Sequence, residues 1–171
     1  RDIETIEMEL IFADLESVEK RISRYLKTAR SGDKEAKYHL SIAQQLKEHL
    51  ENGLLIRAGE WDEDQWKSIT EAQLITSKPI LYICNVDEDG LTQENDFTKQ
   101  VREYANSNDS GLVVICAQAE ADIAELDVVE EREEFLQDLG IEEPGLDRLA
   151  RETYELLGLK TYFTAGEKEI R

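Results

Sequence analysis

The sequence has 171 residues, enough for one fair core or two small units. Its 39 acidic and 20 basic residues leave a net charge of −19, which excludes a general nucleic-acid coat, while 40% hydrophobic content excludes global disorder. No apolar run reaches membrane length, no secretory leader is visible, and the only two cysteines, Cys84 and Cys116, read as free thiols of a reducing, cytoplasmic compartment.

Residues 3–30 predict one long helix, because Ile11, Leu15, Val18, Ile22, Tyr25 and Ala29 recur at steps of three and four, a heptad seam. Ser31-Gly32-Asp33 breaks it, and Asp33 is placed to cap a return helix over 34–51 with Ala36, Leu40, Ala43, Leu46 and Leu50 inward. Asn52-Gly53 stops that helix. A turn this short makes the two helices antiparallel. Residues 54–60 read as a linker. A short helix follows with Trp61, Trp66, Ile69 and Leu74 as anchors, the tryptophans expected between the hairpin base and the sheet. Lys78-Pro79 leads into a strand over 81–84. A helix over 97–106, with Phe97, Val101 and Tyr104 toward the sheet, precedes a second strand over 112–115. An acidic helical stretch at 120–138 is broken at Asp127-Val128, and a last helix covers 146–157. The order is thus a helical hairpin followed by strand–helix–strand–helix, an α/β pattern matching the last third of a doubly wound domain. Two parallel strands do not stand alone, so the remaining strands are expected upstream of Arg1, and the chain reads as an internal piece of something longer.

Both strands end in polar turns, Asn85-Val86-Asp87-Glu88 and Cys116-Ala117-Gln118. Two such ends separated by one helix form a shelf at the carboxyl edge of a parallel sheet, where ligands of open α/β sheets bind. A purine presents donors and acceptors along its edge, and the amide of Asn85 can answer both. Val86 can pack on a ring face, Glu88 can accept from the base or order the loop, and the backbone amides of Ala117 and Gln118 can approach from the other side. The plainer alternative is that Asn85 and Asp87 only cap a turn.

Arg1-Asp2-Ile3-Glu4, the run from Leu10 to Arg21, Thr76-Ser77-Lys78-Pro79, Asn85 to Glu88, Cys116-Ala117 through Glu120, and Tyr162 to Glu169 together closely resemble the YchF family. These are the Obg-like ATPases, Obg-related members of the translation-factor class of P-loop GTPases, and the resemblance is to bacterial members. It implies a fold class of α/β, the C-terminal part of a P-loop G domain carrying an inserted antiparallel helical hairpin, or coiled coil. The implied divisions are 1–55 for the hairpin and its approach, 56–73 for a linker and short helix, 74–158 for the end of the G domain, and 159–171 for the start of a TGS domain. Asn85 to Glu88 resembles the family's fourth G motif, where other GTPases have Asn-Lys-x-Asp. Glu88 stands where an aspartate would hold guanine, and its side chain reaches one methylene further, in line with the family's preference for ATP. Cys116-Ala117-Gln118 resembles the fifth G motif, and Cys116 stands where serine is usual. The phosphate loop Gly-x-x-x-x-Gly-Lys-Ser/Thr occurs nowhere in the sequence. In the family it precedes Arg1, with the parts that hold the phosphates of ATP and Mg²⁺. The chain is therefore expected to supply base recognition, with no catalytic residue and no metal ligand of its own.

Charge is uneven. Lys20, Arg21, Arg24, Lys27, Arg30, Lys34 and Lys37 stand against only Asp33 and Glu35 in residues 20–37, at the hairpin tip. A positive tip on an acidic body can meet phosphate backbones while the body stays off them, and it can equally be a solvated surface with pairs such as Glu16–Lys20. The family's association with ribosomes favours an RNA-facing role, with the ribosome or ribosomal RNA as partner. His39 and His49 lie ten residues apart and share no metal site, and Glu130 to Glu134 reads as a solvated face. The hairpin's seam is consumed by its own return helix, which points to a monomer. The alternative function is a non-enzymatic adaptor whose coiled coil binds RNA or a partner helix.

Overall fold

A computed structural model of the chain describes residues 1–162; the expected domain start at 159–171 falls mostly on 163–171, outside the described residues. The chain divides into two compact units, Arg1–Lys78 and Pro79–Arg171.

In the first unit, α1 (Asp2–Ala29) runs 28 residues with no Gly or Pro to interrupt it. At 1.5 Å per residue that is about 40 Å. The turn at Gly32 takes φ +88°, open to glycine at no steric cost. Asp33 then caps α2 (Lys34–Glu51) as its sequence predicts, accepting from the amides of Glu35 at 2.9 Å and Ala36 at 3.1 Å. The two helices pack along Ile11, Val18, Ile42, Ala43, Leu46 and Leu50, with Leu15, Ile22 and Tyr25 half-buried beside them. Ile42, absent from the expected inward set, is 3% exposed. The linker is not loose: it forms a 3-10 turn at Ile56–Ala58, and Ile56 is fully buried in the hairpin core. Next comes α3 (Glu63–Ala72), opened by a capping box in which Asp62 and Gln65 exchange side-chain and backbone hydrogen bonds. Trp61 and Trp66 pack against this same hairpin cluster, and the Trp61 indole N–H donates to the Ile56 carbonyl at 2.7 Å. That is the hairpin side of the expected placement.

A carboxylate lies on the seam of α1. Asp14 is 2% exposed and accepts from Ile75 N at 2.9 Å, Thr76 N at 2.7 Å and Thr76 Oγ1 at 2.7 Å. It gathers the 3-10 turn Ile75–Ser77, the segment that feeds the first strand.

In the second unit, β1 (Leu81–Asn85) and β2 (Gly111–Ile115) pair in parallel, in register from Leu81↔Gly111 to Asn85↔Ile115. The bonds Gly111 N to Ile80 O and Val86 N to Ile115 O show that even-numbered residues of this stretch face β2. The main-chain groups of Leu81 and Ile83 therefore point the other way, along an edge with no strand partner among the described residues. The crossover is a one-turn α4 (Asp89–Thr92) and then α5 (Asp96–Ser107), capped by Asn95 at Thr98 N, 2.9 Å. Thr98 and Ala105 are buried, and Tyr104 meets the Tyr82 ring edge-on at 6.2 Å between centroids. Phe97 does not face the sheet. It is 80% exposed, because it sits in the first turn of α5 at the carboxyl end of β1. Among the described residues three helices follow: α6 (Ala117–Glu125), α7 (Val129–Asp138) and α8 (Gly145–Leu156). The break between α6 and α7 falls at the expected place, and Glu130 to Glu134 is exposed throughout. From α8, Arg148 Nη2 donates to the Val114 carbonyl on the outer edge of β2.

Asp14→Ala leaves three donors without an acceptor and is expected to cost the hairpin unit roughly 3 kcal/mol, measured by urea unfolding. Asp14→Asn, which keeps one acceptor, costs less.

Candidate functional site

Parallel pairing brings both strand ends out on one edge, since Asn85 lies opposite Ile115 and Val86 N donates to Ile115 O at 2.8 Å. Two residues beyond Ile115 the chains are tied again. Asn85 Oδ1 accepts the backbone N–H of Ala117 at 3.0 Å. A backbone N–H only donates, so the amide oxygen must face Ala117, and the NH₂ of Asn85 is turned away from that bond. The Asn85 side chain is thus an oriented donor at an exposed position.

Asp87 does different work. Its Oδ1 accepts from Gly90 N at 3.0 Å, closing the turn into α4. Gly90 has no room for a side chain there: a Cβ would stand 2.7 Å from Val86 Cβ and 3.0 Å from Asp87 Oδ1. The turn-capping alternative therefore holds for Asp87, whereas Asn85 bridges to the other strand. Glu88 opens α4, makes no capping bond with its side chain and is exposed, so its carboxylate is not consumed by the turn. Val86 is half-buried. A depression lined by Cys84, Asn85, Val86, Asp87, Phe97 and Val101 lies beside this turn.

On the second strand end, Cys116 is buried and precedes α6 without a side-chain cap. The amide of Ala117, expected to approach a ligand, is taken by Asn85; that of Gln118 follows it in the first turn, while the Gln118 side chain donates to Asp122 at 3.1 Å. Cys84 and Cys116 are both free thiols, and burial pushes the Cys84 thiol up, with Arg102 opposing and Glu94 adding to the shift. Among the described residues no group of three or more His, Cys, Asp or Glu could hold a metal ion.

The sequence reading missed Glu120. Its carboxylate, 8% exposed, accepts from Gly145 N at 2.6 Å and Leu146 N at 3.2 Å. Position four of a helix following a polar strand end was a faint signal in a chain so rich in acids.

The basic residues of the hairpin divide. Lys27, Arg30, Lys34 and Lys37 are exposed around the turn. Lys20 pairs with Glu16 at 2.6 Å, and Arg24 lies over the Tyr25 ring, 5.4 Å from its centroid. Arg21 is half-buried and donates to the Ala72 carbonyl at 3.0 Å, at the C-terminal end of α3. The two histidines have separate partners: His39 Nδ1 meets Ser68 Oγ at 3.0 Å, and His49 donates to the Leu55 carbonyl at 3.0 Å.

A parallel strand pair with tied carboxyl ends, flanked by helices and preceded by a helical hairpin, defines an α/β protein. No family model matches the chain. It is 48% identical to the ribosome-binding ATPase YchF of Bacillus subtilis over 99% of its own length and 47% of that protein. It is 49% identical to the protein of that name from Pasteurella multocida, over 99% of this chain and 46% of the relative. The solved structure of the Schizosaccharomyces pombe YchF GTPase superposes with a TM-score of 0.83 at 28% identity, covering 100% of this chain and 47% of that one. Over the region it spans, the chain is similar in sequence and in fold to proteins named YchF. It spans about half the length of the curated relatives it matches.

Asn85→Ala removes the acceptor for Ala117 and is expected to speed hydrogen exchange at that amide about tenfold, read by NMR against the other α6 amides. The Cys84 thiol is expected to alkylate more slowly than free cysteine at pH 8, because a raised pKa leaves less thiolate, and the gap should close as pH rises.

Proposed function

We propose that this chain is the base-recognising and hairpin portion of a cytoplasmic, ribosome-associated P-loop ATPase. The observation that carries the reading is the Asn85–Ala117 hydrogen bond, which orients the Asn85 amide at the exposed carboxyl edge of the sheet. Asn85 donates to the purine, Val86 packs on its face, and the strand end Cys116-Ala117-Gln118 forms the second wall. Glu88, left free by the turn, sets the choice of base, and its extra reach over aspartate favours adenine over guanine. Relatives are named ribosome-binding ATPases, and the fission-yeast structure is titled a GTPase, so the choice of base is the point at issue. The residues fit a base and not a triphosphate. In this reading the phosphates of ATP and Mg²⁺ are held by residues outside these 171, and the chain contributes no catalytic residue. Residues 1–55 form the hairpin with its approach, 56–73 the linker and short helix, 74–158 the end of the G domain, and 159–171 the start of a TGS domain.

The exposed tip supports a second role for the same portion. Lys27, Arg30, Lys34 and Lys37, with Lys20 and Arg24 nearer the base, face ribosomal RNA phosphates. Arg21 instead positions the hairpin against α3.

Calorimetry on the full-length polypeptide carrying this sequence tests the base assignment. ATP is expected to bind more tightly than GTP, and Glu88→Asp is expected to raise GTP affinity about tenfold. Equal binding of both purines in both proteins overturns it. Replacing Lys27, Arg30, Lys34 and Lys37 together by Glu is expected to abolish co-sedimentation with ribosomes at moderate salt and leave ATP binding unchanged.

A further inference from the structure

Glu120 stands at the far side of the second strand end, and among the described residues of this unit it is the acid that is buried. The Cys116-Ala117-Gln118 segment is held at one point by Asn85 Oδ1 on the Ala117 amide. One turn later Glu120 leaves α6 and its two carboxylate oxygens each take one backbone N–H from the start of α8, Gly145 at 2.6 Å and Leu146 at 3.2 Å. The residue before α8 is Pro144, whose side chain offers no acceptor, so Glu120 supplies the cap from another element. A negative charge at a helix N-terminus is further favoured by the aligned peptide dipoles. The fit is close. A Cβ on Gly145 would stand 2.9 Å from Glu120 Oε1 and 2.8 Å from Ile115 Cγ2, so the backbone of α8 lies directly against the end of β2 and this carboxylate. Arg148, one turn further along α8, donates to the Val114 carbonyl on β2.

We infer that Glu120 is a positioning residue for base recognition: it clamps the first turn of α6 to α8 and so fixes where the Ala117 amide meets Asn85. The inference rests on the base-recognition reading above. The chain of constraint runs from α8 through Glu120 to the first turn of α6, and from Ala117 through Asn85 to the base. If the clamp is loosened, Ala117 shifts, its bond to Asn85 weakens, and the outward NH₂ of Asn85 loses its orientation. Glu120 itself touches no ligand in this account. Binding through the phosphates, supplied from elsewhere, should not depend on it.

That separation gives the test. In the full-length polypeptide, Glu120→Gln keeps the size of the side chain but offers one acceptor where two amides need one. Its affinity for ATP is expected to fall about tenfold, while affinity for inorganic tripolyphosphate with Mg²⁺ stays within twofold of wild type. Asn85→Ala is run beside it and is expected to show the same split, and the double variant to lose little beyond either single one. Glu120→Asp, which keeps both acceptors on a shorter stem, is expected to recover part of the loss. A merely structural role would lower the active fraction and weaken ATP and tripolyphosphate alike; that outcome overturns the inference. So does a Glu120→Gln protein with unchanged ATP affinity while Asn85→Ala is impaired, and that pattern leaves the base-recognition reading standing. If Asn85→Ala also binds ATP normally, the base-recognition reading itself fails.

Discussion

One hydrogen bond, from the Ala117 amide to the Asn85 side chain, sets the geometry of the sheet's carboxyl edge. Backbone pairing ends with Val86 on Ile115, and beyond it two loops would otherwise part. A side-chain amide can prolong the ladder by one step because its oxygen imitates a peptide carbonyl. The same group then carries a donor on its other side. One residue thereby ends the sheet and leaves a donor at its rim, while the tight turn itself is delegated to Asp87 and Gly90. That division leaves Glu88 unspent.

The two units use one device in different settings. Asp14 in the hairpin gathers two consecutive amides, Ile75 and Thr76, and Glu120 in the α/β unit gathers Gly145 and Leu146. In each case a nearly buried carboxylate is satisfied by neutral donors rather than by a cation, which gives directional bonds without a second buried charge. Each carboxylate leaves a helix and fixes a segment distant in sequence. In the hairpin unit that segment runs into β1; in the other it is the start of α8.

The pattern of apolar residues made most of the fold legible. The heptad steps from Ile11 to Ala29, the Asp33 cap and the two short strands all lie within a residue or two of their expected positions. Periodicity reports which face is inward but not where an element ends against its neighbour, which is why Phe97 was assigned to the sheet and stands instead at its rim. The apolar spacing of the two tryptophans marks them as anchors, and the hairpin cluster is the surface they pack on. Asp14 and Glu120 were hidden for a different reason. With 39 acids in the chain, the burial of two of them depends on distant backbone amides that no local window contains. Arg21 was counted with the tip by charge alone, although its helical phase turns it toward the end of α3.

The outer edge of β1 has a colloidal consequence. Leu81 and Ile83 present main-chain donors and acceptors with no strand beside them among the described residues, and the Ile83 side chain is half exposed. Such an edge is a template for a second copy of itself. Against it acts a net charge of −19, which keeps copies apart over a distance set by the ionic atmosphere. Handled alone, this polypeptide is thus balanced between backbone adhesion and charge repulsion, and added salt moves that balance toward edge-to-edge association.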